Sequence, residues 1–247
     1  CQGTMAVIAG EPGTGKSLLS YTLALAVASG GLPFLNRQTA PGHVLYFDEE
    51  NSLPDVREYL KWAWRGLGEP SVTSVAAQLH LEHFSLANQG PNRYTYMATL
   101  AQKHAPLLIV LDTTSPVCQI LDENDNAEAS RAIRALRQVR TAAGPQASML
   151  LLKHSRLAHA AGERRTIRGA KTWLGELDTV IYHTVGPGQP RKDGLRTTRL
   201  EPDKVRAFGL RTTLRVTPTW VDTKTGRGLT LFGAEVNEQK NSPAKTA

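Results

Sequence analysis

A glycine-rich stretch near the start of the chain has the sequence Gly10-Glu11-Pro12-Gly13-Thr14-Gly15-Lys16-Ser17, which fits the pattern G-x-x-x-x-G-K-[ST] at every fixed position. Residues 4–9 before it form an apolar run of strand length, and residues 18–29 after it are rich in Leu and Ala with helical spacing. Two glycines at 30–31 end the helical pattern. The sequence therefore predicts a phosphate-binding loop between a strand and a helix.

Each residue type in this loop has a physical reason to be there. Glycine lets backbone N–H groups turn toward phosphate oxygens where a Cβ would clash or forbid the dihedral angles. The start of the following helix, which includes Leu18, adds unpaired N–H groups and the positive end of its dipole. Lys16 is expected to reach the β- and γ-phosphates of ATP, and Ser17 to give its hydroxyl to Mg²⁺. We therefore predict that residues 10–18 bind a nucleoside triphosphate.

Two further strand-like runs end in acidic residues. Residues 43–47 precede the acidic trio 48–50, and the buried-strand run 106–111 precedes Asp112. Ligand chemistry in open α/β sheets occurs at the carboxyl ends of the parallel strands. At least one member of the trio is therefore expected to face the nucleotide, although acidic residues are also favoured at the start of the helix that follows. Asp112 is expected to act on Mg²⁺ from its outer coordination sphere, as the Walker B aspartate.

A third buried-strand run, residues 147–153, ends in His154. This histidine would lie beside the strand of the phosphate loop and could touch the γ-phosphate, although a histidine at a strand end can also be purely structural. The segment 156–168 that follows is basic and rich in small residues. Its composition suits a loop that becomes ordered on a polyanion.

The composition is that of a globular protein with a basic excess. The chain has 247 residues, of which 40% are hydrophobic and 21% charged. No apolar run approaches the roughly 20 residues that a membrane span needs, so no membrane association is expected. Its net charge is +7, and residues 153–215 contain 14 Lys or Arg against six Asp or Glu. A polyanion in addition to ATP is therefore the natural partner, although a basic surface that only aids solubility is the alternative.

The order of elements predicts a single α/β domain over residues 1–236, with a mostly parallel central sheet and antiparallel strands after residue 195. Residues 237–247 are polar and are expected to form a disordered tail. Two cysteines, Cys1 and Cys118, are too few for a disulfide framework, which favours a reducing, cytoplasmic compartment. Because the chain begins with Cys1 rather than Met, we also expect that an upstream segment is missing.

The order of these features carries a family resemblance. The phosphate loop is followed by a strand ending in Glu, one ending in Asp, one ending in His, a basic loop and a β-rich tail. In this order the chain resembles the RecA-like P-loop ATPases of the AAA-family group, and is most similar to RepA-type hexameric helicase ATPases and DnaB-type replicative helicases. The likeness covers nearly all of residues 3–216. It implies a RecA-like fold and ATP hydrolysis with Mg²⁺, coupled to DNA translocation, unwinding or remodelling in the replication or recombination of plasmids, phages or mobile elements.

The resemblance also implies roles for individual residues. Glu50 matches the general base that activates the attacking water, with Glu49 as the competing candidate because the sequence has an acid at both places. His154 matches the polar sensor of the γ-phosphate. Lys204 and Arg206 look like the K-x-R finger pair that is inserted into the neighbouring subunit's site. Two exposed charges at a strand end are the alternative for this pair.

If the fingers act in trans, the active site exists only between subunits. The protein is then expected to be a homo-oligomer, most simply a ring of six, with the loops after the strands of Asp112 and His154 facing a central channel. In that channel the protein would hold the backbone of single-stranded DNA without reading its bases. The candidate contacts are Arg164, Arg165, Arg168 and Lys171.

Two other functions remain open from the sequence. A regulatory switch resembling KaiC-type ATPases would use its nucleotide state to control a protein partner without DNA. A P-loop kinase of small molecules would need a lid over its substrate, and the β-rich basic tail offers no evident lid.

Overall fold

The computed structural model describes residues 2–122, 124–155, 167, 171–186, 191–206 and 212–236. The strands are β1 (Met5–Gly10), β2 (Val44–Asp48), β3 (Leu79–His83), β4 (Leu108–Asp112), β5 (Ser148–His154), β6 (Thr179–Val185), β7 (Thr198–Val205), β8 (Leu214–Thr223) and β9 (Gly226–Glu235). The helices are α1 (Lys16–Ala28), α2 (Leu53–Gly66), α3 (Val72–Gln78), α4 (Arg93–His104), α5 (Thr114–Cys118), α6 (Asn126–Ala142) and α7 (Thr172–Glu176), with a 3₁₀ turn at Gly90–Asn92. None of the helices in this part of the chain is long and apolar enough to cross a bilayer.

All nine strands belong to one sheet with the order β3-β2-β4-β5-β1-β6-β7-β8-β9. The strands from β3 to β6 in this order pair in parallel, whereas β6 to β9 pair antiparallel. The predicted α/β architecture, with a mostly parallel sheet and an antiparallel C-terminal extension, is confirmed. It is the arrangement of a RecA-like P-loop NTPase.

The central strands are hydrophobic because helices cover both of their faces. Every residue of β2 and β4 is buried, and alternate side chains enter two different cores. Phe47 and Leu111 join the core under α4 to α7, while Tyr46 and Val110 join the core under α1 and α2. The polar residues at the strand ends are thereby left at the edge of the sheet.

The parallel register brings the predicted site residues to one edge. Gly10 at the end of β1 pairs with His154 at the end of β5, and Asp48 at the end of β2 pairs with Asp112 at the end of β4. The phosphate loop, the acidic trio, the Walker B aspartate and the histidine therefore share the carboxyl edge of the sheet, where open α/β sheets bind ligands.

Several local predictions need correction. The polar sequence of residues 115–125 predicts a loop, but its first part belongs to helix α5, in which Val117 and Cys118 are buried in the core under α4 to α7. The sequence gives no prediction for helix α3, in which none of the residues is buried. The sequence also predicts short strands at residues 210–216 and 229–232, whereas β8 and β9 have ten residues each.

The β8–β9 hairpin is fixed against α2 by close packing. A Cβ on Gly66 at the end of α2 would lie 1.9 Å from the carbonyl oxygen of Leu229, so only glycine permits this approach. Trp62 meets Trp220 edge to face at 5.4 Å, and the Arg227 guanidinium lies over the Trp220 ring. The hairpin therefore forms a rigid wall beside the start of α1.

The predicted tail 237–247 and three of the four predicted DNA contacts, Arg164, Arg165 and Arg168, lie outside the described residues. The fourth, Lys171, is exposed immediately before α7.

Candidate active site

The phosphate loop joins β1 to α1, as the motif requires. Gly13 and Gly15 have φ angles of 76° and 89°, in the left-handed region that favours glycine. Gly10 is needed for a different reason, because a Cβ there would lie 2.5 Å from the carbonyl oxygen of His183 on the neighbouring strand β6. The loop residues Glu11 and Pro12 are exposed, and Thr14 is buried, with its hydroxyl bonded to the carbonyl of Glu11.

Lys16 folds back over this loop. Its ammonium donates to the carbonyl oxygens of Gly10 at 2.9 Å and Glu11 at 3.0 Å, and the residue is 6% exposed. Burial lowers the pKa of Lys16, while the carboxylates of Glu50 and Asp112 act in the opposite direction. The ammonium is thus held by two backbone carbonyls directly beneath the N-terminus of α1.

Two carboxylates that follow buried strands lie together behind Lys16. Asp48 and Asp112 are both fully buried. Tyr21 donates its hydroxyl to Asp48 at 2.7 Å, and Tyr46 donates to Asp112 at 2.9 Å. The amide of Asn51 donates to both carboxylates, at 2.9 Å to Asp48 and 3.1 Å to Asp112. The pair is therefore held by three donors from three different elements.

The carboxyl group of Asp112 is costly to ionise in this position. Burial, together with the neighbouring Asp48, raises its pKa to about 7, although hydrogen bonds from Ser17 and Tyr46 act in the opposite direction. One oxygen of Asp112, Oδ1, is buried and has no hydrogen-bond partner. A buried oxygen of this kind costs free energy unless a cation or a bound water meets it.

This donor set fits Mg²⁺. Magnesium prefers hard oxygen ligands, and it is bound through one or two protein groups together with waters and phosphate oxygens. Ser17 supplies a hydroxyl that receives the Asn51 amide at 3.4 Å, and Asp112 supplies the unpaired Oδ1. The described residues contain no cluster of three His, Cys, Asp or Glu that could hold a metal unaided. Ser17 and Asp112 are the residues that would hold Mg²⁺ here.

The two adjacent glutamates point in different directions. Glu50 Oε1 lies 3.4 Å from His154 Nε2, and the hydrogen bond with His154 lowers the Glu50 pKa the most. Glu49 is 9% exposed, and its Oε1 accepts from the backbone N–H of Leu86 at 2.9 Å. Burial raises the pKa of Glu49. The structure therefore brings Glu50 to the phosphate loop and turns Glu49 into the protein.

Lys204 and Arg206 lie at the other edge of the sheet. Lys204 is paired with Val180, which is paired with Val7, three residues before Gly10. At about 3.3 Å per strand residue, the backbone of Lys204 is displaced by roughly 10 Å from the level of the phosphate loop. Arg206 is displaced further, since its N–H bonds the carbonyl of Asp178. These two residues are not brought to the loop of their own chain.

The same two side chains end helix α7. The Lys204 ammonium donates to the carbonyls of Leu174 at 2.5 Å and Gly175 at 2.9 Å, and the Arg206 guanidinium donates to Gly175 at 2.8 Å. Cations are favourable at helix C-termini because they pair with the last carbonyl groups. The pair thus has a local structural role in the isolated chain.

A cavity of about 280 Å³ adjoins the phosphate loop on the β6 side. Thr14 and Leu18 line it from the loop and α1, and Arg196 and Thr198 line it from β7 and the segment before it. The β8–β9 hairpin closes it with apolar side chains. These are Val216, Pro218, Leu229 and Leu231.

His183 lies between the loop and this cavity. Its Nε2 is 2.8 Å from the hydroxyl of Thr198, and its Nδ1 is buried without a partner. Burial, together with the charge of Lys16, lowers the pKa of His183 to about 4. The imidazole is therefore neutral at physiological pH.

These features agree with a comparison against known families. A family model described as an AAA domain matches residues 2–160. The chain belongs to this AAA domain family. The match includes the phosphate loop, the acidic trio, Asp112 and His154, and it ends before β6. The predicted class of P-loop ATPase is confirmed, and the AAA domain is a nucleotide-binding domain. A comparison with curated proteins gives no match.

The structure adds residues that sequence reasoning missed. Tyr21, Tyr46 and Asn51 hold the two carboxylates, and His183 and Arg196 line the neighbouring cavity. One signal was available for Tyr21, because it lies four residues after Ser17 and therefore on the same face of α1. Tyr46 likewise shares a face of β2 with Asp48.

The carboxylate pair predicts an unusual dependence of stability on pH. The Asp112 pKa is about 7 in the folded AAA domain against an ordinary value of 3.8. Below about pH 4 the carboxyl is protonated in both states and costs nothing, but between pH 4 and 7 only the unfolded chain ionises fully, so stability falls as pH rises. We expect Asp112→Asn to raise the free energy of unfolding by about 1–4 kcal/mol at pH 8 and by little at pH 4.

Urea unfolding in EDTA measures this difference, and Asp222→Asn on the exposed β8–β9 hairpin controls for the change in charge alone. A benefit of Asp112→Asn that is equal at both pH values, or larger at pH 4, would show that Asp112 is not held near its protonated form.

Proposed function

We propose that this AAA domain hydrolyses ATP and couples the hydrolysis to movement on, or remodelling of, single-stranded DNA, as a ring resembling RepA-type and DnaB-type helicases. One observation carries the proposal. The carboxyl edge of the sheet brings together Lys16, Ser17, Glu50, Asp112 and His154. Lys204 and Arg206, the proposed finger pair, lie at the other edge, away from the phosphate loop of their own chain.

ATP fits the site with its phosphates on the loop and its base in the cavity. The N–H groups at the start of α1 and the Lys16 ammonium face the same point, so phosphate oxygens would replace the carbonyls of Gly10 and Glu11 as acceptors of the ammonium. The cavity beside Thr14 and Leu18 has apolar walls with a few polar groups, as sites for a planar base do.

Glu50 is the proposed general base for the attacking water. Its lowered pKa keeps the carboxylate ionised at neutral pH, and its contact with His154 fixes its position near the place of the γ-phosphate. His154 would then exchange Glu50 for a phosphate oxygen, as a sensor does. Mg²⁺, when bound, would neutralise charge that develops on the β- and γ-phosphate oxygens.

Arg206 of a neighbouring subunit is the proposed finger, with Lys204 beside it. An arginine that stabilises charge on the transferring phosphoryl group typically changes turnover by about 10³-fold or more. To act in this way, both side chains must leave the C-terminal carbonyls of α7. Subunit association and the release of α7 would therefore occur together.

Single-stranded DNA is the proposed partner because the basic excess of the chain lies mostly after residue 160, where the match to the AAA domain ends. The net charge is +7, and the basic excess lies within residues 153–215. Lys171 is exposed before α7, and the loops that follow β4 and β5 leave from the same edge as the ATP site. A change in the contact of Glu50 with His154 that follows the state of the nucleotide would therefore occur next to the segments that are proposed to hold DNA.

The first test concerns the general base. We expect Glu50→Gln to bind ATP within a few-fold of the wild type but to lower turnover by about 10²–10⁴-fold, because the amide cannot accept the proton of the water. Turnover is measured by phosphate release and affinity by equilibrium binding of ATP. The matched change Glu49→Gln retains an oxygen for Leu86 N–H and should leave turnover nearly unchanged. If Glu49→Gln is the slow variant, the assignment is reversed.

The second test concerns the shared site. Arg206→Ala and Lys16→Ala subunits should each be nearly inactive, but an equal mixture should recover up to about a quarter of the wild-type rate, because random assembly joins an intact loop to an intact finger at about that share of interfaces. Mixing Arg206→Ala with the Lys16→Ala/Arg206→Ala double variant supplies no finger and should recover nothing. A rate that never exceeds that of this control would contradict action in trans.

The third test concerns DNA. We expect single-stranded DNA to raise the rate of ATP hydrolysis, and this stimulation to weaken steeply between about 50 and 200 mM salt, as phosphate contacts require. The mass of the particle with ATP is measured in the same buffers and should be that of an oligomer. A KaiC-type switch would form the oligomer yet show neither DNA binding nor stimulation, and that result would replace our proposal.

A further inference from the structure

Two arginines face each other across the antiparallel part of the sheet. Arg199 on β7 is directly opposite Arg215 on β8 in the strand register. Arg215 is exposed and Arg199 is half-buried. Like charges directly opposite one another on a sheet are destabilising, and neither guanidinium has an ion pair with an acid among the described residues.

The two arginines project from the face of the sheet away from α2. Leu200, Leu214 and Val216 alternate with them along β7 and β8 and enter the core under α1 and α2. Thr184 on β6 is paired with Arg199 and therefore lies on the arginine face. Thr217 lies on the same face because it is two residues after Arg215 on β8, and it is paired with Phe232 of β9. The face is therefore polar and positively charged next to a buried apolar layer.

One large aromatic side chain lies on the same face. Phe232 on β9 is paired with Thr217, one step diagonally from Arg215, and is 52% exposed. A phenylalanine that exposed on a sheet loses the favourable burial of its ring. The arrangement of arginines beside an exposed aromatic ring on a sheet is the one that proteins use to hold phosphates and to stack bases.

From this juxtaposition we infer that Arg199, Arg215 and Phe232 form a binding surface for single-stranded nucleic acid, with the arginines on the phosphates and the ring against a base. The inference rests on the proposed function in one respect, namely that a nucleic acid is the partner. It assigns the contact to the strands of the C-terminal extension, which is separate from the basic segment 156–168.

Charge complementarity selects this occupant over a second copy of the chain. Each copy has a net charge of +7, so a like-charged surface is a poor partner for two opposed arginines, whereas a polyanion removes their repulsion. One acid, Glu201, lies two residues along β7, and its carboxylate accepts from the Thr184 hydroxyl at 3.2 Å.

The test measures binding of labelled oligo-dT and oligo-U by fluorescence anisotropy over a range of salt concentrations. We expect Arg199→Ala/Arg215→Ala to weaken binding at least tenfold at low salt and to reduce the slope of log K against log salt by about 1.4, since each phosphate contact on a single strand contributes about 0.7. Phe232→Ala should weaken binding by about 5- to 100-fold while leaving that slope unchanged. The oligo-U arm shows whether a 2′-hydroxyl is tolerated.

The matched control is Arg57→Ala/Lys224→Ala, which removes the same charge from exposed positions on α2 and on the β8–β9 turn. It should leave the slope unchanged. The melting temperature of Arg199→Ala/Arg215→Ala should equal or exceed that of the wild type, because the variant removes a repulsive pair. If this variant is as stable as the wild type and still binds less tightly, the two arginines act in binding rather than in holding the structure.

Each outcome bears on the inference. If the wild type binds oligonucleotides and both variants bind equally well with the same slope, this surface is wrong while the proposed partner stands. If the wild type binds neither oligonucleotide, both the surface and the DNA part of the proposed function fall. If the arginine variant binds normally but no longer forms the oligomer with ATP, the face is a subunit contact and the inference is overturned.

Discussion

The burial of Asp48 and Asp112 side by side is the constraint on which the site depends. Two carboxylates at the ends of adjacent, fully buried strands would repel each other, and the structure offsets this with the hydroxyls of Tyr21 and Tyr46 and the amide of Asn51. Because these donors come from α1, β2 and the segment after β2, the network ties the phosphate-loop helix to two strands. The buried carboxylate pair thereby lowers the stability of the folded state at the place where a divalent cation and phosphate oxygens would bind.

The sheet separates the two halves of the proposed chemistry. Its carboxyl edge holds the groups that are proposed to bind and cleave ATP, while Lys204 and Arg206 occupy the far edge, where they end α7. This separation follows from the topology of the sheet. Strand β7 is antiparallel to β6 and therefore runs away from the ATP edge. The direction of one strand therefore keeps Lys204 and Arg206 away from the phosphate loop of their own chain, so the proposed finger would have to act on a neighbour.

The sequence best predicts those parts of the site that consist of consecutive residues. The phosphate loop, its flanking strand and helix, and the polar residues after β4 and β5 are all local patterns, and the structure places them at one edge. Which of Glu49 and Glu50 faces the loop is not local. It depends on the turn after β2, where Asp48 Oδ1 accepts from the N–H groups of Glu50 and Asn51. The contact of Tyr46 with Asp112 is not local either, because the sequence places Tyr46 on the face of Asp48 but does not show that β4 is the strand paired with β2.

Helix α7 contacts residues from both edges of the sheet. Lys153, beside the proposed sensor His154 on β5, lies with its ammonium 4.5 Å from the ring of Trp173, the buried residue of α7. The last carbonyls of the same helix accept from Lys204 and Arg206. Helix α7 is only five residues long, and it is held by the buried Trp173, by the ion pair of Glu176 with Arg137 and by the hydrogen bond of Thr172 with Asn126. If loss of the γ-phosphate shifts β5 in the proposed mechanism, the contact of Lys153 with Trp173 would pass part of that shift to α7 and to the proposed finger pair.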